Sequence, residues 1–459
     1  MPPTPESDAR RTLHRRTLVL PGVDPGVFLD AFSGELRGFW GRGDRWVAWA
    51  GALHEIVEPG TLVNGEVEPA RRFSRVRARA RNLLTPGSGT PRFFGGFSFL
   101  DDPGTDGAWE GFPAARFILP RITLAGRKGR IELVVQALGT DTPPPGLEGE
   151  LQALGDTLRR EPTPPRVLVP RPVERISDEE EVEHRAWKEA VAAVLGAIAT
   201  GEVEKAVLAR IQEVDLDRAP GTGDLVRYLR HENPRAHVFL FGMEGGRTLF
   251  GAAPEVLAEF REGRLHSTAV AGSAARGGDP ESDRARADAL LASAKDREEH
   301  RMTVEQMSEV LDPRLDGMEV AEEPRILTLA RIQHLESPIE GTGREGEDVL
   351  SLVEALHPTP AVCGRPRDAA LSLIGAREPF ARGWYAGPVG WFDVAGEGDF
   401  VPALRIGVGR DLRWRLYAGA GIVAGSDPEL EWEETRLKFE PALRALRAGA
   451  AAPADTRDG

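Results

Sequence analysis

Cysteine is almost absent: Cys363 is the single thiol in 459 residues. One thiol cannot build an internal disulfide framework or a cysteine-cluster metal site. It fits a reducing compartment, so a cytoplasmic protein is expected. Long apolar runs are missing too. None approaches the roughly 20 residues a membrane helix needs. The apolar stretch near the Arg-rich N-terminus, Leu18 to Leu20, is too short for a signal-peptide core. Positive charge is in deficit, with 58 Lys and Arg against 72 Asp and Glu, a formal charge of -14. Such a chain is a poor candidate for gripping a phosphate backbone or an anionic bilayer. Neither nucleic acid nor membrane is therefore expected as a partner. No fixed-period repeat of the solenoid kind is present.

What is present is an ordinary globular composition, long enough for a large core. From Thr17 to about Ala137, short apolar runs are broken by Gly, Pro and Asp: TLVLPG, RWVAWAG, RFFGGFSFL, RFILPRITLAG and RIELVVQAL. These predict strands and turns. Residues 139–172 are Pro-rich, with a short helix expected near Leu147 to Leu158. They read as a connection between two halves of one unit. Beyond it, Ser177 and Glu180 form a candidate capping box. Trp187, Val191, Val194, Leu195 and Ile198 share one helical face that ends at Thr200 and Gly201. KAVLARI predicts a strand. HVFLFGMEGGRTLFGA predicts a hairpin turning at Glu244 to Gly246, and VLAEFREGRLHSTAVAG another turning at Glu262 and Gly263. A helical stretch is expected from Asp283 to Leu311. Strands then follow in WYAGPVGWFDV, DFVPALRIGVG and RWRLYAGAGIVAG, and a last helix over Pro428 to Leu446. The expected organisation is a loose tail over 1–14, an N-terminal part over 15–172, a second region over 173–447 and a frayed tail over 448–459. The class is α+β, with antiparallel strands and helices in layers.

Several residues in this pattern suit chemistry. Lys205 opens a strand whose same-face neighbours are Val207, Ala209 and Ile211. An apolar row strips water from an amine and favours its neutral form, which suits a general base. A strand-end lysine snorkelling to water is the alternative. Asp296 and Glu299 are spaced i, i+3 on one helix, and Glu431 and Glu434 likewise on another. Two such pairs can enclose a hard cation such as Mg²⁺ through oxygen ligands, or be two solvated faces. The glycine-rich Tyr417 to Gly425 lacks the Gly-Lys-Ser/Thr ending of a phosphate loop. Its amides and Arg405 remain suited to a carboxylate. His357 and Cys363 allow a Cys/His nucleophile, but no local nucleophile signature surrounds them.

Taken together, ordered blocks make the chain from Glu183 to Leu446 resemble the chorismate-binding enzymes. They are KAVLAR (205–210), GAAPEVL (251–257), STAVAGSAARG (267–277), AKDREEH (294–300), LHPTPAVCGRPR (356–367), WYAGPVGW (384–391), ALRIG (403–407) and YAGAGIVAGSDPELEWEET (417–435). The family includes isochorismate, salicylate, anthranilate and aminodeoxychorismate synthases. GELRGFWGRG and RFFGGFSFLDD further resemble the longer, menaquinone-type isochorismate synthases. The resemblance implies two stacked antiparallel sheets flanked by helices, and chorismate as substrate. It implies Lys205 as the base that activates water and Glu255 as the acid that protonates the departing C4 hydroxyl. Glu299 and Glu434 match Mg²⁺ ligands, with Asp296 and Glu431 as acidic neighbours. Arg405, Tyr385, Gly419, Gly421, Lys438, Gly272 and Ser273 match positions around the substrate, and His357 matches the active-site histidine.

The same resemblance separates the branches. Anthranilate synthases usually lack the lysine at 205, so no obligatory glutaminase partner is expected. Salicylate synthases tend to carry Thr where this chain has Ala361, which favours stopping at isochorismate. Val270 stands where many relatives have Leu, a conservative change. Salicylate synthase, a siderophore-pathway isochorismate synthase, an anthranilate or aminodeoxychorismate synthase component and a non-catalytic chorismate-binding protein are the alternatives.

Overall fold

The structure is a computed structural model. It describes residues 11–60, 62–63, 66–67, 72–85, 89–104, 106–140, 142–160, 175–176 and 180–450. The capping box at Ser177 and the Pro-rich run over 161–172 lie outside the described residues.

Among the described residues, antiparallel ladders join twenty strands into one network. The two halves of the chain are woven through it. Arg37–Arg42 pairs with His237–Gly242, and Arg92–Phe97 pairs with Pro388–Asp393. The period-two alternation of strands shows how the layers stack. Along His237–Gly242, every residue is buried. Val238 and Leu240 face one core, while Phe239 and Phe241 face another. Arg92–Phe97 and Ala115–Arg127 divide in the same way: Phe94 and Ile118 join the second core, whereas Phe93, Phe97, Phe117 and Leu119 join a third. The second core lies between sheet faces and is aromatic, with Trp40, Trp49, Phe94, Phe239, Trp384 and Trp391 buried in it. Each such ring contributes about 1.5–3 kcal/mol by burial. Helices cover the outer faces. Pro25–Ala31, Leu147–Arg160, Thr222–Glu232 and Pro428–Gly449 close the first core. Arg72–Leu83, Ala294–Leu311 and Val349–Leu356 close the third. The fold is an α+β sandwich of antiparallel layers flanked by helices.

Some local expectations are corrected. Thr12 to His14, expected in the loose tail, open the first strand, Thr12–Val19. Pro25–Ala31 and Arg72–Leu83 are helices inside a region read as strands. In the second, only Phe73, Val76 and Ala80 among the arginines carry the apolar stripe, a signal too sparse to read alone. The stretch from Asp283 to Leu311 is broken into Pro280–Ala292 and Ala294–Leu311. Ser293 is extended and its side chain accepts from the Asp296 amide, so it stops one helix and caps the next. Asp296 thereby falls in a first helical turn. Gly419 and Gly421 lie not in a loop but in the strand Arg413–Ile422. Both hairpin turns fall where expected, with Glu262 and Gly263 at positive φ.

Candidate active site

Lys205 begins the strand Lys205–Asp215 and is fully buried. Its Nζ lies 2.9 Å from Glu299 Oε1, an ion pair without hydrogen-bond alignment. Glu299 comes from Ala294–Leu311, which packs over the strand Arg264–Ala275. Gly421 sits opposite Val207 in the adjoining strand. A Cβ there would collide with the Glu299 carboxylate and stand 2.9 Å from Lys205 Cε. The glycine makes room for the pair.

Glu255 lies in the turn between Thr248–Ala253 and Ala258–Arg261 and is 2 % exposed. Its Oε1 has no hydrogen-bond partner. Burial pushes its pKa from 4.5 up to about 8, against the pull of Lys205 and Arg405. A carboxylate without water or a close donor is expensive, so at neutral pH the group holds its proton.

Arg405 faces this carboxyl from the turn between Gly398–Pro402 and Ile406–Arg410. Its φ of 55° is a left-handed conformation that costs a non-glycine residue about 1–3 kcal/mol. Arg405 Nη2 donates to His334 Nε2 at 3.1 Å. An arginine can only donate, so His334 accepts at Nε2 and carries its proton on Nδ1. Nδ1 lies 3.1 Å from both the Gly272 carbonyl and Ser273 Oγ. Burial, then the fields of Arg405 and Lys438, hold His334 neutral, its pKa well below the usual histidine value. Gly272, at φ 75°, is the bulge where the register of Arg264–Ala275 shifts against Ile332–Gly343. That bulge turns a carbonyl toward the histidine. Tyr385 stacks on Tyr417 with ring centroids 5.2 Å apart, and burial raises its pKa to about 12. Its hydroxyl stands 2.9 Å from where a Gly419 Cβ would be. Lys438 Nζ donates to the Gly419 carbonyl at 2.9 Å and pairs with Glu434 Oε1 at 2.5 Å.

The sequence reading missed His334. It stands in the strand Ile332–Gly343 within an alternating run, and no spacing marks it. His357, expected at the site, is not brought to it. It packs beside Phe73 and Phe99, and its Nε2 lies 2.9 Å from the Phe99 carbonyl. Burial and then Arg72 drive its pKa down to about 3. Cys363 is buried, and burial raises its thiol pKa to about 11, so it is not a ready nucleophile.

Across the two helices, Glu299 and Glu434 lie within electrostatic reach of Asp296, and Glu434 of Glu431. Burial raises the pKa of Asp296, with Glu299 and Glu434 adding to it, and burial and then Glu434 raise that of Glu431. Burial alone would also raise Glu299, but Lys205, Lys438 and Lys295 together hold it below the ordinary value. Among the described residues, no three His, Cys, Asp or Glu side chains are drawn together as a metal centre. Ammonium groups sit against three of the four carboxylates: Lys205 on Glu299, Lys438 on Glu434, and Lys295 on Glu431 at 2.5 Å. Oxygen ligands of this kind suit a hard cation. A large cavity of about 660 Å³ lies elsewhere, lined by residues including Trp40, Trp46, Arg92 and Trp391, and none of the expected site residues lines it.

A buried lysine, a buried glutamic acid and an arginine–histidine pair thus stand near one another in the fold. The family described as chorismate binding enzyme matches residues 4–447. The chain belongs to that family. Within it, the chain is 35% identical over 392 residues to the salicylate biosynthesis isochorismate synthase of Pseudomonas aeruginosa, across 82% of this chain and 80% of that protein. It is 39% identical over 264 residues to the isochorismate synthase EntC of Escherichia coli K12, across 58% of this chain and 68% of that protein. It also shares the fold of MenF, the menaquinone-specific isochorismate synthase from Escherichia coli. The TM-score is 0.73 at 26% identity, covering 96% of this chain and 95% of that one. No helix among the described residues is long and apolar enough to cross a membrane.

Proposed function

We propose that this chain is an Mg²⁺-dependent isochorismate synthase acting in the cytoplasm on chorismate, probed most directly by its product. What supports the reading is a buried lysine within electrostatic reach of a buried glutamic acid. Lys205 has lost all contact with solvent, and Glu255 keeps its proton to about pH 8. In the forward step Lys205, once it has given up the proton it holds in the ion pair with Glu299, takes the proton of a water molecule that attacks C2 of the substrate ring. The ring double bonds shift, and the C4–O bond breaks as Glu255 delivers its proton to the leaving hydroxyl. One water enters and one leaves, so substrate and product are isomers. Glu299, 2.9 Å from Nζ, meets the positive charge that Lys205 acquires. The carboxylate left on Glu255 faces Lys205 and Arg405. Arg405, oriented by neutral His334, with Tyr385 and Lys438, binds and positions a substrate carboxylate. In this reading Glu299 and Glu434 would hold Mg²⁺, with Glu431 and Asp296 beside them. Bound there, Mg²⁺ supplies Lewis-acid stabilisation of a carboxylate on the substrate.

The menaquinone branch is supported by the two N-terminal motifs. The relative named for salicylate biosynthesis, which also spans most of the chain, supports salicylate supply as the second reading. Incubation with chorismate and Mg²⁺, followed by separation of products, tests the activity. Isochorismate without pyruvate is expected. Pyruvate released in step with chorismate loss overturns it. Menaquinone and salicylate levels in the host after deletion of the chain test the branch.

A further inference from the structure

The strand that carries Lys205 has an unusual edge. On one side it is paired along its length with Arg413–Ile422. On the other, Gly364–Arg365 pairs only with Lys205 and Ala206, and the Val207 amide reaches the Cys363 carbonyl at 2.7 Å. Among the described residues, a strand partner returns only at Val214 and Asp215. The next buried main-chain groups, the Val207 carbonyl and the Ala209 amide, therefore need partners that no strand supplies. Two side chains supply them. Arg382 Nη2 donates to the Val207 carbonyl at 2.7 Å, and Glu378 Oε1 accepts from the Ala209 amide at 2.7 Å. The two side chains are bonded to each other at 2.5 and 2.8 Å, and each is 4 % exposed.

The same pair reaches the other parts of the site. Arg382 Nη1 donates to the Val362 carbonyl at 2.8 Å, holding the segment that contains Ala361. The Arg382 carbonyl accepts from the Tyr385 amide at 2.8 Å. Its guanidinium lies over the Phe99 ring at 4.4 Å and the Tyr385 ring at 5.8 Å. One ion pair thus touches the Lys205 strand, the Val362 segment and the turn into Tyr385.

Stability alone is a poor reason to keep such a pair. Removing two charges from water costs about what their attraction returns, and well-packed apolar residues often serve a core as well. An apolar pair has nothing to offer the Val207 carbonyl or the Ala209 amide. We propose that Glu378 and Arg382 are positioning residues: their ion pair stands in for an absent edge strand and sets the placement of Lys205 and Tyr385 against the substrate. This rests on the isochorismate synthase reading, because Lys205 must be a proton-transfer group for its placement to matter.

The test uses the full chain and four variants. Arg382→Met and Glu378→Leu remove the main-chain contacts, while Arg382→Lys and Glu378→Gln keep a donor and an acceptor. Misplacement of a reacting group by about 1 Å costs roughly 10²-fold in rate. The first two variants should lose about 10- to 10²-fold in kcat, more than KM changes. Each conservative partner should recover most of that loss. Melting temperatures are measured alongside. If either apolar variant fails to fold, the comparison of Arg382→Lys and Glu378→Gln with wild type decides, and each must keep more than about a tenth of wild-type kcat. The proposal is overturned if folded apolar variants keep wild-type kcat. It is equally overturned if kcat follows melting temperature and the conservative variants do not recover it. A wild-type chain that makes no isochorismate would instead overturn the functional reading.

Discussion

Replacing Glu255 by glutamine separates the proton from the shape of the side chain. In the folded wild type, burial moves this carboxyl from 4.5 to about 8. Above pH 4.5 the unfolded chain releases the proton, while the folded chain keeps it until about pH 8. Folding therefore takes up a proton in that window, and wild-type stability falls as pH rises through it, by about 1.4 kcal/mol per pH unit. Allowing for partial titration at both ends, the loss between pH 5 and pH 8 is about 3–4 kcal/mol. The glutamine variant has no proton to lose and lacks that slope. For 459 residues, an unfolding entropy of about 2.1 cal/mol/K per residue makes 1 kcal/mol worth about 1 °C. The melting temperature of Glu255→Gln relative to wild type should therefore rise by about 3–4 °C from pH 5 to pH 8. Scanning calorimetry at the two pH values, without substrate, reads it directly. In turnover, the variant should lose roughly 10²- to 10⁴-fold in kcat, together with the fall in rate that the wild type shows above about pH 8. Parallel melting curves for the two proteins across this range would refute a buried, protonated Glu255.

Lys205→Gln keeps polarity and approximate length without basicity, so the fold should survive while kcat drops by roughly 10² to 10⁴, more than KM changes. A kcat near that of wild type would remove Lys205 as the base. EDTA should abolish turnover and added Mg²⁺ restore it, and titration calorimetry should show weaker Mg²⁺ binding in Glu434→Gln. Full activity in metal-free buffer would end the metal reading. Chelation should leave the melting temperature nearly unchanged, since a core of this size does not depend on one ion. Ammonium salts added to the chorismate assay should yield no appreciable anthranilate, and anthranilate in quantity would move the chain to another branch.

The local chemistry was legible because its signals are local. Period two put Lys205 among Val207, Ala209 and Ile211, and i, i+3 spacing put each acidic pair on one helical turn. The acidic balance, the single thiol and the lack of long apolar runs followed from counting. The ordered blocks carried the family, because each is a short stretch around one part of the site. Whatever depends on contacts between distant segments stayed hidden. His334 lies 71 residues before Arg405 and has no marker of its own, whereas His357, in a conspicuous block, faces Phe73, Phe99 and Arg72 instead. The proton on Glu255 is set by burial, and burial is contributed by strands and helices from the whole chain. The lysines on Glu299 and Glu431 were not marked by any spacing, because those pairs join different elements, whereas Lys438 stands i, i+4 from Glu434 on one helix. The interweaving of Arg37–Arg42 with His237–Gly242 was likewise invisible. A side chain's type and its neighbours along the chain are written in sequence, but its solvent and its partners across the fold are decided only when the layers close over it.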